Sequence, residues 1–592
     1  MKRNYLALLL SLTLILSIIF SGCGNDKADS KPGAAVEESR VSDEIQPEET
    51  LDDSSAEAIG SDTEEAQPIT GAVIPKDELD SAYAVKYGMY DFEEYVELPL
   101  TEQEETLTYW LTGQPFTASM NNVVMEDLSF YRELKARTNI NIEFTLAPFF
   151  TASESFGLMT AAGDYNDLIA RVANYYPTGA AGAIQDEVVI GLNDVVAQYM
   201  PNYMGWLELY PDYRRAVTSV DGDIYMAGSF RHENGAHKNT TGMLARKDWM
   251  DELGIDMPVT YDDYHEMLTA FKSNYNSSGL WLDNIGRNMH SVSAAGYDVV
   301  QDNPLYDPLV VVDGQVAYSP ITDNSKEFFS LLNSWWNEGL IWTDFMSQER
   351  VDYPDTSLIA NGTVGIWSDD IGNLPKLNAE LGDGIEVAGI APPRKEAGQV
   401  LHTSYNASVV STGGTSISTD CKNVELAAKW LDYVFTYDGY LLENYGIEGE
   451  ALEFRADGTP QYTELVVGDS DLSVIQRMYL YSCYGGHGIL LQDREYQNYT
   501  DYQREVIDLW NEDFDSEHAY PQGNIMTVEE NTEYSAIMTD IRTYISESTI
   551  KFIIGDLSID EDWETYTNNV SQMGIDGAVA IAQTAYDRYM AG

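Results

Sequence analysis

Aromatic and planar polar side chains are the groups in this sequence best suited to binding chemistry. The chain holds 40 Tyr and 11 Trp residues among its 592. An aromatic ring stacks on a flat apolar C–H face, and the planar side chains of Asn, Asp, Glu and Arg make paired hydrogen bonds to hydroxyl groups. A saccharide, whose apolar faces are ringed by hydroxyls, needs both kinds of side chain. Most aromatic rings belong to the core of any protein, so position decides which ones are candidates.

The ends of predicted strands select the candidates, because ligands of open α/β sheets bind at the carboxyl ends of the strands. Trp367 is the best single candidate, since it directly follows the predicted strand Thr363–Ile366. Asp369 and Asp370 come next and could accept hydroxyls. The structural alternatives are a core Trp and an Asp that caps a helix. The other candidates for ligand binding are Trp110, Gln114, Arg171, Asn174, Tyr175, Trp281, Tyr405, Asn406, Tyr484 and His487.

Motifs of known catalytic sites do not occur in the sequence. There is no His-Glu-x-x-His zinc signature, no Gly-x-Ser-x-Gly elbow and no Gly-Lys-Ser/Thr phosphate loop. His232 and His237 are five residues apart in a polar stretch, which is not a metal-ligand spacing. With 97 acidic residues, a pair of carboxylates is uninformative, so a secreted glycoside-active enzyme is the less favoured alternative. We predict no catalytic residue, no cofactor and no metal site.

The elements that must hold the candidates alternate between short apolar strands and amphipathic helices from about residue 104 onwards. Leu107–Leu111 and Ile140–Leu146 are predicted strands with a helical pattern between them. This order is typical of an open α/β sheet. Thr260, with Asp263 three residues later, predicts the beginning of a helix. Three tryptophans at core spacing on predicted helices are assigned to packing: Trp249, Trp335 and Trp430.

The first 90 residues carry targeting signals. Lys2 and Arg3 precede an apolar run, 6–20, that is too short for a bilayer span and is followed by small residues and Cys23. This pattern predicts a signal peptide over residues 1–22 and a lipid, such as palmitate, on Cys23; a secreted protein without lipid is the alternative. Residues 23–90 are rich in Asp, Glu, Ser and Ala, which predicts a disordered linker long enough to cross a Gram-positive cell wall.

Size and charge restrict the globular part. About 500 residues exceed a single core of ordinary size and predict at least two lobes. The formal net charge of −64 would repel nucleic acid, which excludes it as a partner. If Cys23 carries a lipid, Cys421 and Cys483 remain as either two thiols or one disulfide.

Several stretches, in this order, resemble family 1 of the extracellular solute-binding proteins, the substrate-binding lipoproteins of carbohydrate ABC importers. The resemblance covers most of residues 104–592. The stretches that carry it are Asp221–Tyr225, Leu244–Ile255 with Pro258 and Thr260, Ser416–Thr419, Cys421–Asn423, Trp430–Tyr433, Asn444–Gly449, Lys551–Gly555 with Trp563, Met573–Asp576 and Ala585–Tyr589.

The resemblance implies a two-lobed, periplasmic-binding-protein-like α/β fold of type II, with discontinuous lobes joined by a hinge and a ligand in the cleft. Lobe 1 would comprise 104–236 and 387–445, and lobe 2 would comprise 237–386 and 446–592. Trp367 resembles the stacking Trp of maltodextrin-binding relatives. The implied partners are an oligosaccharide and the permease subunits of an ABC importer. The implied location is the outer face of the cytoplasmic membrane, where a monomer is anchored through Cys23.

The identity of the ligand and the presence of calcium stay open. Relatives often carry an acidic calcium loop after the helix that here ends at Lys272, but this chain has neutral groups from Ser273 to Trp281, which makes calcium doubtful. A peptide or another small solute is the alternative ligand. Among saccharides, Lys and Arg are too scarce to favour an anion unless Arg171 and Arg231 both face the cleft.

Overall fold

The computed structural model describes residues 96–113, 123–231, 239–282, 293–299, 307–347, 354–402, 410–468, 472–483, 487–491, 493–521 and 525–591. All of them belong to one unit, 68–592. The predicted signal peptide, Cys23 and the linker to residue 90 lie outside the described residues. Within the described part, no helix combines the length and the apolar character that a membrane span requires.

Short strands and helices alternate along the chain, as the sequence pattern predicts. The strands are β1 Glu105–Thr112, β2 Ile140–Ala147, β3 Leu168–Ala170, β4 Ala227–Arg231, β5 Thr241–Arg246, β6 Gly279–Leu280, β7 Leu309–Val312, β8 Gln315–Tyr318, β9 Val364–Asp370, β10 Val387–Ile390, β11 Leu401–His402, β12 Val410–Ile417, β13 Leu452–Phe454, β14 Pro460–Tyr462, β15 Gly488–Leu490 and β16 Phe514–Asp515. The α-helices are α1 Ser129–Thr138, α2 Ala152–Ala162, α3 Val172–Tyr175, α4 Gly179–Gln185, α5 Asn193–Tyr199, α6 Pro201–Leu209, α7 Pro211–Ala216, α8 Lys247–Leu253, α9 Tyr261–Tyr275, α10 Asp323–Asn337, α11 Thr356–Ala360, α12 Leu374–Leu381, α13 Val424–Tyr433, α14 Tyr437–Tyr445, α15 Glu464–Val467, α16 Val474–Tyr481, α17 Asp493–Tyr496, α18 Asp501–Trp510, α19 Val528–Ile554, α20 Ile559–Gln572 and α21 Ile575–Ala591.

The first large sheet has the strand order β15-β4-β12-β3-β1-β2. All of its strands are parallel to one another except β12, which runs antiparallel to both β3 and β4. Side chains alternate across β1, since Tyr109 and Leu111 face the first hydrophobic core while Trp110 faces a smaller core on the opposite side. The sheet is therefore covered on both faces.

The second large sheet has the order β10-β5-β9-β6. β5 runs antiparallel to β9 and β10, and β6 is parallel to β9. Gly242 in β5 permits close packing, because a Cβ there would lie 2.2 Å from the ring of Trp510 in α18. That ring is fully buried and its Nε1–H donates to the carbonyl of Ile390 at 3.0 Å. A helix thus packs directly on the backbone of the second sheet.

Helix beginnings follow the capping rules. Thr260 caps α9, with its hydroxyl accepting from the backbone N–H of Asp263 while the Asp263 carboxylate accepts from the backbone N–H of Thr260. This capping box, predicted from the sequence, satisfies backbone donors that the first helical turn leaves without partners.

Two main hydrophobic cores, one on each large sheet, divide the chain differently from the lobes that the resemblance implied. Val387 and Ile390 pack in the second core, because β10 pairs with Met243–Arg246 in β5. Residues from Ala451 to Leu491 pack in the first core, below α14 and beside β15. The chain therefore crosses after His402 and again after Leu491, rather than at 387 and 446 as expected.

The crossings are anchored where they leave the second core. The backbone N–H of Asn239 donates to the amide oxygen of Asn511 at 2.8 Å, and the Asn511 amide donates back to the Asn239 carbonyl at 2.9 Å. Arg394 is buried and donates to three backbone carbonyls, including that of Glu512 at 2.7 Å. Both anchors tie the crossing segments to the end of α18.

Candidate functional site

The two large sheets are separate and are connected through the ends of their strands. The first crossing runs from the carboxyl end of β4 at Arg231 to the beginning of β5 at Thr241, and the second runs from the end of β10 to the beginning of β12. Because β12 is antiparallel to β3 and β4, its beginning lies at their carboxyl ends. The carboxyl edge of the first sheet is therefore connected twice to the edge of the second sheet where β9 ends. We call these two edges the cleft edges, one on each lobe.

Three predicted residues follow β3 at the first cleft edge. Arg171 has a left-handed backbone, with φ of 58°, and its N–H donates to the Gly414 carbonyl at 2.9 Å. This turn ends the strand and starts α3, which carries Asn174 and Tyr175. Asn174 is exposed, while Arg171 and Tyr175 are half-buried. The structure thus brings these three candidates together at one place.

Tyr175 borders an aromatic cluster with Trp110 and Phe156. The ring centroids lie 5.5 Å apart for Trp110 and Phe156, 6.0 Å for Trp110 and Tyr175, and 5.7 Å for Phe156 and Tyr175. Trp110 and Phe156 are buried, so only Tyr175 presents a partly open ring. Trp110 is then a support for Tyr175 rather than a surface that a ligand contacts.

Arg231 ends β4 at the same edge as Arg171. The two arginines are carried by parallel strands with β12 between them, and both side chains are half-buried. Both arginines thus lie at the carboxyl ends of strands in the first sheet.

Asp369 and Asp370 end β9 at the second cleft edge. Asp370 accepts from the Thr240 hydroxyl at 2.7 Å and from the backbone N–H of Gly372 at 2.8 Å, which is the helix-capping role weighed as an alternative. Asp369 is buried and accepts from the Asn373 amide at 2.9 Å and the Asp370 N–H at 2.7 Å. Burial, aided by the charge of Asp370, raises the pKa of Asp369 to about 8 despite the Asn373 hydrogen bond. Asp369 is therefore mostly protonated at neutral pH.

Trp367 and Trp281 lie inside the second core, unlike their predicted positions at the cleft. Trp367 is 0% exposed because β9 continues to Asp370, so Trp367 sits in mid-strand opposite Leu244. Trp281 is 3% exposed, and its backbone N–H donates to the Ile366 carbonyl at 2.9 Å as an extension of β6. Neither ring offers a face to a ligand in this conformation.

The third crossing supplies an aromatic residue that the sequence reasoning missed. Tyr499 is half-buried, and its hydroxyl lies 3.5 Å from the position that a Cβ on Gly372 would occupy, beside the end of β9. In the same segment the Gln497 amide donates to the hydroxyl of Tyr445 in the first core at 3.3 Å. The stretch follows the carboxyl end of β15, so the rule that selected Arg171 could have selected it as well.

Four predicted residues lie outside the described part of the chain: Gln114, Tyr405, Asn406 and Tyr484. His487 is described and is buried against Trp430 and Phe435, with ring centroids 5.3 and 6.4 Å away. Burial lowers the pKa of His487 to about 3, so the imidazole is a neutral core group.

Cys421 and Cys483 are two buried thiols in the first core. Burial raises the pKa of Cys421 to about 11 and that of Cys483 further. Both side chains stay protonated at neutral pH and are poor nucleophiles.

Two α/β lobes, connected repeatedly through the strand ends of their sheets, are typical of the periplasmic-binding-protein-like fold of solute-binding proteins. No family model matches the chain. The chain is 25% identical over 533 residues to the fructooligosaccharide ABC transporter substrate-binding protein FusA of Streptococcus pneumoniae, which covers 84% of this chain and 93% of FusA. Homologues of the chain are thus substrate-binding proteins of ABC transporters rather than enzymes, in agreement with the resemblance to family 1.

Solved structures show the same fold. The crystal structure of the alginate-binding protein AlgQ2 without calcium ion has a TM-score of 0.68 and 21% identity, covering 82% of this chain and 99% of that chain. FusA of S. pneumoniae in complex with kestose has a TM-score of 0.66 and 22% identity, with the same coverage. The predicted two-lobed fold is confirmed.

Proposed function

We propose that this protein captures an oligosaccharide between its two cleft edges and delivers it to the permease of an ABC importer. The observation that carries the proposal is the juxtaposition of Arg171, Asn174 and the partly open ring of Tyr175 at the edge that faces the end of β9. The names of the relatives, a fructooligosaccharide-binding and an alginate-binding protein, support a saccharide ligand.

The mechanism is binding without bond making or breaking. The lobes touch in this conformation, since Cα atoms of α4 in the first lobe come within 8 Å of α19 in the second, and Arg215 lies over the ring of Tyr589 at 5.1 Å. A ligand that contacts both cleft edges binds this arrangement more tightly than an open one. Its differential affinity shifts the population toward the form that a permease recognises.

An acidic oligosaccharide is the second candidate ligand. It is favoured by Arg171 and Arg231 at one cleft edge, because guanidinium groups bind carboxylates through paired hydrogen bonds. The overall charge of −64 and the acidic end of β9 favour a neutral ligand instead. A peptide is the remaining alternative.

A thermal-shift screen separates these ligands, since a ligand that binds only the native state raises the Tm. Neutral oligosaccharides, oligouronates and short peptides are tested against the protein. Tyr175→Ala should then weaken binding of the active oligosaccharide about 10-fold through the loss of a stacking face. Tyr275→Ala is the matched control, because Tyr275 is also half-buried and stacks on Trp249 at 4.2 Å, but belongs to the opposite edge of the second sheet.

The outcome decides the ligand class. A Tm shift with saccharides that Tyr175→Ala reduces and Tyr275→Ala retains supports the proposal. A shift with peptides alone would refute the saccharide ligand, and equal effects of the two variants would refute the site.

We also propose that a lipid on Cys23 anchors the protein at the outer face of the cytoplasmic membrane. Small residues before Cys23 and the apolar run 6–20 support this location. Cys23→Ser should release the protein into the medium and abolish labelling with radioactive palmitate; retention in the membrane fraction would contradict the anchor.

A further inference from the structure

Histidine and carboxylate side chains cluster where the chain leaves the second lobe. His402 ends β11, which pairs in parallel with β16, and the next residue begins the crossing to β12. His402 Nδ1 lies 2.6 Å from Asp515 Oδ1. One potential ligand atom from each of His402, Asp515 and Glu517 lies within 4.8 Å of those from the other two. Residues more than 100 positions apart in the sequence thus converge on one point.

A second imidazole adjoins this group. The His402 and His518 ring centroids are 3.9 Å apart. His518 Nδ1 lies 2.9 and 2.8 Å from the two carboxylate oxygens of Asp298. Asp298 thereby fixes the orientation of the His518 ring beside His402.

The chemistry of the cluster suits a metal ion, because imidazole and carboxylate groups from two neighbouring strand ends meet in it. The side chains of His402 and His518 are 24% and 20% exposed, so the site is accessible yet partly enclosed. A donor set of imidazole and carboxylate is typical of Zn²⁺ and other first-row transition metals, whereas Ca²⁺ and Mg²⁺ prefer oxygen ligands alone.

We propose that His402, Asp515 and Glu517 bind one divalent transition-metal ion. The ion joins β11 to β16 and thereby fixes the point from which the second crossing leaves the second lobe. The proposed ligands lie on or directly after the separate two-stranded sheet of β11 and β16 and not in either large sheet, so the site does not depend on the identity of the solute.

The test is a titration of the full chain, purified without a polyhistidine tag and treated with chelator. Zn²⁺ binding is measured by isothermal titration calorimetry, and Co²⁺ replaces it to report coordination through its visible absorption. His402→Gln and Glu517→Gln each remove one proposed ligand. His265→Gln is the matched control, because His265 Nε2 also lies 2.7 Å from a carboxylate, that of Glu338, in an exposed pair outside the cluster.

One Zn²⁺ per chain should bind to the unmodified protein and to His265→Gln. Removal of a ligand should weaken binding at least about 10- to 100-fold, the loss typical of outer-shell changes. Glu517 is exposed, so Glu517→Gln should leave the fold intact. This variant therefore tests the loss of a ligand even if His402→Gln disturbs folding. The proposal is overturned if no Zn²⁺ binds, if both variants bind it like the control, or if Ca²⁺ binds as tightly as Zn²⁺.

Discussion

Asp369 should make the free energy of unfolding fall as the pH rises, and Asp369→Asn should remove that dependence. The carboxyl group is 4% exposed, and burial is the largest cause that raises its pKa to about 8. An unfolded aspartate ionises near pH 4. Between these values the folded chain holds a proton on Asp369 that the unfolded chain has lost.

The sign and size follow from this difference in bound protons. The contribution of Asp369 to stability is complete below about pH 4 and is lost as the pH rises through 8, at about 1.4 kcal/mol per pH unit. The variant should therefore gain about 4 kcal/mol relative to the unmodified protein between pH 5 and pH 8. An asparagine can retain both hydrogen bonds, because the Asn373 amide and the Asp370 N–H both donate to Oδ1.

Urea unfolding at pH 5, 6, 7 and 8 measures the effect. The quantity of interest is the difference in unfolding free energy between Asp369→Asn and the unmodified protein at each pH. Asp256→Asn, at an exposed aspartate of the same lobe, controls for the loss of one negative charge. Parallel curves for Asp369→Asn and the unmodified protein would refute the reasoning, since the carboxyl would then ionise alike in both states.

Four other substitutions test the packing and protonation of the protein. Gly242→Ala should lower the free energy of unfolding by about 1–3 kcal/mol, because its Cβ would overlap the ring of Trp510. Gly157→Ala, with open space around it in α2, should raise the free energy of unfolding by up to about 1 kcal/mol. Urea unfolding measures both variants, and equal effects would contradict the close approach of Gly242 to Trp510. Trp367→Ala should lower the free energy of unfolding by about 3–5 kcal/mol, because it leaves a cavity in the second core. Urea unfolding measures this loss, and a change in ligand affinity at unchanged stability would contradict the core position of Trp367. His487→Gln should reduce the loss of stability in acid, because burial lowers the pKa of His487 to about 3. The stability that the neutral ring contributes is complete above about pH 6.5 and is lost as the pH falls toward 3. Tm values from pH 4 to 7 check this, and an unchanged dependence of Tm on pH would contradict it.

Local sequence patterns predicted the elements well but not their partners. The predicted strand Leu107–Leu111 is β1, Glu105–Thr112, and the capping box at Thr260 is present. The assignment of residues from 387 onwards to the first lobe was wrong, because Val387–Ile390 pairs with β5 in the second sheet. The sequence of an apolar strand does not indicate which sheet the strand joins, because its pairing partner lies more than 100 residues away in the chain.

Placement at strand ends could be predicted from the sequence only in part. Arg171, Asn174 and Tyr175 lie together directly after β3, and their contact with a ligand stays a prediction. Trp367 was misplaced because the strand was expected to end at Ile366, whereas the polar residues up to Asp370 continue pairing with β5. A polar stretch normally marks the end of a strand, but here Ser368 and Asp369 are buried and pair with residues of β5.

Hydrogen–deuterium exchange with a saturating oligosaccharide tests the central claim, that one ligand is held between the two cleft edges. The account predicts added protection in both 168–175 of the first lobe and 366–373 of the second, with little change around Tyr275 at the opposite edge of the second sheet. Protection confined to one lobe, or placed away from both cleft edges, would contradict it.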